Sequence, residues 1–86
     1  MQIVINTSYG NFSLSPKALS LYAHFKDMKE EDIDYNTISR NDPSLIRLVE
    51  MLGPNVNGPN VNLKIEQIPD GTEWKIEKLN GMEWIV

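Results

Sequence analysis

The chain opens on an unbroken apolar run, Ile3-Val4-Ile5, set between Gln2 and Asn6. Successive residues of a strand point to opposite faces. A strand over Gln2–Asn6 is then apolar on both, with Ile3 and Ile5 on one side and Val4 on the other. That predicts a central strand covered by helix on at least one face. Asn6, Thr7 and Ser8 end the run with side chains that bond local backbone. Tyr9-Gly10-Asn11 reads as a turn in which Gly10 supplies freedom at positive φ.

The apolar period then lengthens. Leu14, Ala18, Leu21, Tyr22 and Phe25 recur at helical spacing and form one stripe. Ser15 is a suitable N-cap and Pro16 suits the first helical position, so a helix starts there and fades at Lys26-Asp27. A second helix is predicted over Pro43–Leu52, capped by Asp42, with Leu45, Leu48, Val49 and Leu52 on its stripe. Gly53 and Pro54 close it. Between the helices, Asp27–Asp34 reads as a solvated connector, or as a further turn of the first helix. Ile33, Tyr35 and Thr37 alternate at period two and suggest a short strand.

The segment Gly53–Asn57 is repeated at once as Gly58–Asn62. Two short copies cannot build a solenoid, and their proline, glycine and asparagine content predicts an exposed loop. Strands are then expected over Asn62–Ile68, Glu73–Leu79 and Met82–Val86. Turns at Pro69-Asp70-Gly71-Thr72 and Asn80-Gly81 join them. Trp74 and Ile76 are expected inward, Trp84 and Val86 on a common face, and the two tryptophans packed across neighbouring strands. The sum is one α+β domain over residues 1–86: two helices on a mostly antiparallel sheet of four to five strands, in two layers. An apolar patch on the uncovered sheet face would mark a subunit contact.

Composition narrows the function classes. A chain of 86 residues holds one domain. Its stability should be about 4–13 kcal/mol, and oligomerisation is a common way for so small a domain to bury more surface. It has no cysteine, so disulfide scaffolds and thiolate metal sites are excluded. No apolar run is long enough for a membrane span, and no basic segment leads into an apolar one as in a signal peptide. A net charge of −4 argues against general nucleic-acid binding but not against a local anion pocket.

No catalytic motif is present, and neither a cofactor nor a metal site is expected. His24 is the only histidine and has no ligand-spaced partner. The acidic pairs near Asp32 lie in a polar run where nothing would tune them. An enzyme is therefore not expected. Candidate ligand contacts gather at the two helix starts. Ser13 and the Gly10 loop flank unpaired helix N–H groups, although no phosphate-loop motif is present. Tyr9 and Phe12 could stack a base, with Tyr9 the better candidate, since an aromatic such as Phe12 more often plugs the core. Arg40 and Arg47, the only arginines, suit phosphate, or else pair with Asp42 or Glu50. Asn6 and Asn41 could read base edges.

The opening Val4–Ser15, the central Arg40–Leu45 and the tail Leu63–Trp84 resemble a family of small bacteriophage proteins. That family carries an N-terminal VINxxYGxFxLS motif and a C-terminal IPDxxEW…EW tail. Here Asn11 stands where the family usually has a second glycine, the middle segment is shorter, and the basic aromatic tail is absent. The resemblance implies an accessory phage protein acting in the host bacterial cytoplasm against host defence. One form is a homo-oligomeric sponge for a nucleotide immune signal, of cyclic nucleotide or cyclic ADP-ribose type, held by Asn6, Tyr9, Gly10, Phe12, Ser13, Arg40, Asn41 and Arg47. The alternative is an inhibitor that binds a host protein through the tryptophan-bearing face or Asp27–Asp34. In the sponge reading, Arg40→Ala should abolish binding and leave melting of the empty protein nearly unchanged.

Overall fold

A computed structural model describes residues 1–86. Strand β1 spans Gln2–Asn6, helix α1 Pro16–Lys26, helix α2 Pro43–Leu52, β2 Leu63–Gln67, β3 Ile76–Leu79 and β4 Met82–Ile85. The α+β class holds, but the strands form two sheets rather than one. β1 pairs antiparallel with β2, Val4 opposite Ile65, and β3 pairs antiparallel with β4, Glu77 opposite Trp84.

The helix ends follow the residues that announce them. The Ser15 hydroxyl accepts from the Ala18 N–H, and Asp27 closes α1 in the left-handed region at φ 53°. The Asp42 carboxylate accepts from the Ser44 N–H at the start of α2. Both helices pack into one core with Val4, Leu14, Ala18, Tyr22, Leu45, Leu48 and Leu63. Ile3 and Ile5 are also buried, outside that cluster, on the opposite face of β1.

Three further expectations about the elements fail for identifiable reasons. Ile33–Thr37 is not a strand: the Asp34 side chain and backbone carbonyl take up the N–H groups of Asn36 and Thr37, which tightens Tyr35–Thr37 into a 3₁₀ turn. The duplicated segment is not simply an exposed loop. Val56, in a 3₁₀ turn over Gly53–Val56, is 0% exposed and Val61 is 7% exposed. Each copy therefore drives one valine into the core, and burying an aliphatic side chain outweighs the turn-forming character of its neighbours. Trp74 lies before β3, and the β3–β4 register puts it on the face opposite Trp84, so the tryptophans do not pack across strands.

The single sheet is interrupted at the free edge of β1. There the Val4 N–H donates to the Arg40 carbonyl at 2.8 Å, and the Asn6 N–H donates to the Glu83 carboxylate at 2.8 Å. A side-chain carboxylate from β4 thus occupies a position where a strand ladder would need a carbonyl. The hairpin packs along β1 without joining its sheet.

Candidate functional site

Asn6 bolts the hairpin to the rest of the fold. It is 0% exposed. Its amide Nδ2 donates to the Gly10 and Gly81 carbonyls at 2.5 and 2.9 Å. Its Oδ1 accepts from the Ser8 and Asn62 N–H groups at 3.1 and 3.0 Å. A primary amide has two donors and room for two acceptors, so Asn6 is saturated and has nothing to offer a ligand. Gly10 has a related role. Its φ is not positive, contrary to expectation. A Cβ there would sit 2.5 Å from the Pro59 carbonyl oxygen, so glycine is required by close approach of backbones.

Arg40 and Phe12 do meet. The guanidinium carbon of Arg40 lies 3.8 Å from the Phe12 ring centroid. Tyr35 packs against the same ring in a T-shaped arrangement, 5.9 Å between centroids at 81°. These three side chains form a wall of a cleft of about 820 Å³, which Asn11, Asn36, Ile76, Lys78, Asp34 and Glu83 also line. Its size falls in the ordinary range for small-molecule sites. The loop before α1, the turn before α2 and the inner face of the hairpin each supply part of it.

Arg40 is not the free surface cation that a role on phosphate requires. Both terminal nitrogens donate to Glu83, Nη2 to Oε2 at 2.8 Å and Nη1 to Oε1. The bidentate pair is nearly buried, with Glu83 5% exposed. With Arg40 answered by Glu83, and with one further anion, Asp34, and one further cation, Lys78, on the lining, the cleft is close to neutral. Lys78, which is exposed, is the cation left for an anion.

The other candidates scatter. Tyr9 is 74% exposed and does not line the cleft. The Ser13 carbonyl accepts from the Gly58 N–H at 3.2 Å, and its hydroxyl packs on Gly58. Arg47 stacks over Phe25 at 4.9 Å and pairs with neither Asp42 nor Glu50. Asn41 lines a second depression, on the side of Tyr22 and Lys26, and accepts from the Ser39 hydroxyl. In that depression Tyr22 Oη donates to Asp42 at 2.7 Å, and Lys26 Nζ lies 3.2 Å from the same carboxylate. Burial alone would raise the Asp42 pKa. Hydrogen bonds from Tyr22, the Ser44 N–H and Lys26 outweigh it and hold the carboxyl below its ordinary value. Burial, then the bond to Asp42, pushes the Tyr22 hydroxyl well above the ordinary phenol range.

Tyr35, Asn36, Lys78 and Glu83 are site residues that sequence reasoning did not single out. Glu83 carried no signal of its own: it alternates with Trp84, so only one of the two can face inward, and by composition the tryptophan is the more natural choice. No helix is long and apolar enough to cross a membrane. No family model matches the chain, and no curated protein or solved structure is detectably similar to it.

Proposed function

We propose that this chain is a non-catalytic binding module that sequesters a nucleotide-type small molecule, as a phage-encoded, homo-oligomeric sponge would in the host bacterial cytoplasm. One observation carries the reading: Phe12, Tyr35 and the Arg40 guanidinium gather flat surfaces at one open cleft, beside the amides of Asn11 and Asn36. Aromatic rings and arginine planes are stacking platforms for bases, and amides read base edges. Because the cleft is nearly neutral, the base is the part of the ligand it grips, and Lys78 meets a phosphate at the rim.

The test is the melting temperature of the protein across a panel of cyclic nucleotides and cyclic ADP-ribose isomers. A ligand at 100 times its dissociation constant adds about 2.7 kcal/mol to stability. Flat curves across the panel overturn the reading.

A second reading, a protein–protein inhibitor, draws on the fully acidic turn Glu30–Asp32, whose side chains are all exposed. Retention of one host protein from lysate by the wild type, lost on neutralising Glu30, Glu31 and Asp32, would favour it.

A further inference from the structure

The β3–β4 hairpin has two unlike faces. Its inner face carries Ile76, Lys78 and Glu83 and lines the cleft. Its outer face carries Lys75, Glu77 and Leu79 on one side and Val86, Trp84 and Met82 on the other, row by row. Leu79 is 66% exposed, Val86 52%, Trp84 42% and Met82 36%. These four are most of the exposed large hydrophobic side chains in the molecule. Scattered singly they would need no explanation; gathered on one sheet face they mark a contact surface. A two-stranded hairpin is also marginal by itself and gains from a second layer.

We propose that this outer face is where two copies of the chain associate, hairpin on hairpin, about a twofold axis. Charge selects a second copy over another partner. The chain as a whole carries −4, but this face carries one cation and one anion, Lys75 and Glu77, one row apart. A twofold axis crossing the strands at the Ile76–Ile85 pair lays each row on the next row of the other copy. Lys75 then lies over the partner's Glu77, and Trp84 over the partner's Val86, each contact occurring twice as an isologous interface demands. Sheets stacked face to face interdigitate in this way at about 10 Å. Leu79 and Met82 form the rim toward each hairpin turn. Within one chain Lys75 and Glu77 lie 3.4 Å apart and are well exposed, so both are available for exchange between copies. The proposal deepens the homo-oligomeric part of the function proposed above, and it does not depend on what fills the cleft.

Sedimentation equilibrium on the full chain, from low micromolar to millimolar concentration, tests it. The average mass should climb from one chain to two. Trp84→Thr, which keeps a strand-forming residue, should hold the mass at one chain throughout. Lys75→Glu and Glu77→Lys should each weaken association, by at least tenfold in dissociation constant, and the double variant K75E/E77K should restore it. The charge variants alter only exposed side chains, so they remain informative should Trp84→Thr fail to fold. A wild type that stays monomeric overturns the proposal and leaves the face to a different partner. A dimer that survives Trp84→Thr, or charge variants without mutual rescue, overturns it as well. A monomer whose melting still rises with a nucleotide defeats the dimer alone, and a dimer indifferent to every nucleotide defeats the cleft reading alone.

Discussion

Arg40 and Glu83 meet fork to fork, 43 residues apart along the chain, with 16% and 3% of their side chains exposed. The pair stands at the free edge of β1, beside the hydrogen bonds that fasten the hairpin. It builds the back of the cleft and closes the fold at once.

Removing one partner leaves the other charged and buried. Arg40→Ala should cost about 3–5 kcal/mol, a large share of the stability of so small a domain. This reverses the expectation that the substitution spares melting. Replacing Arg40 with methionine and Glu83 with glutamine, whose amide oxygen can still accept from the Asn6 N–H, should cost less, because no uncompensated charge remains. Urea titration of the two variants checks the order.

Asn6→Ala removes four hydrogen bonds and leaves the Gly10 and Gly81 carbonyls without a donor. A loss of about 2–4 kcal/mol is expected. The near-isosteric Asn6→Asp should be no better: it can still accept from Ser8 and Asn62, but it sets a carboxylate oxygen against two carbonyl oxygens. Chemical denaturation of the three proteins decides this, and Asn6→Asp matching the wild type would contradict the assignment.

The Tyr22–Asp42 contact makes stability pH-dependent at both extremes. The Asp42 pKa is lowered on folding, so its contribution is present above the ordinary value of 3.8 and is lost as the pH falls through the folded value. The Tyr22 pKa is raised, so its contribution is full below the ordinary value of 10.0 and drains away as the pH rises past it. Tyr22→Phe should flatten the alkaline limb and cost about 1 kcal/mol at neutral pH. Asp42→Asn should flatten the acid limb. Melting temperature against pH for each variant gives the answer.

In the cleft, Tyr35→Leu keeps apolar bulk but loses the stacking plane. It should weaken a bound nucleotide by ~1–3 kcal/mol with little change in the empty protein. Lys78→Ala should weaken an anionic ligand modestly and reduce the dependence of binding on salt. Calorimetric titration at two ionic strengths separates the two effects.

The sequence alone determined the elements with local causes. Ser15-Pro16 and Asp42-Pro43 set both helix starts, because a cap and a proline act on the adjacent turn. The Asn80-Gly81 turn set the hairpin, and the run Ile3-Val4-Ile5 set a buried first strand, although that strand pairs on one edge only and is not the central strand expected. Where local evidence was weak it misled: Ile33-Tyr35-Thr37 alternates like a strand but is bent by Asp34, and the turn-rich repeat hides two core valines. Only the tertiary structure decided that the strands form two sheets, that Glu83 rather than Trp84 faces inward, and that Phe12 and Tyr35 meet Arg40. Each of those outcomes turns on a pairing between residues distant in the chain. A buried carboxylate and an arginine fork satisfy one another only once the backbone has brought them together, and nothing in the neighbourhood of either residue encodes the partner.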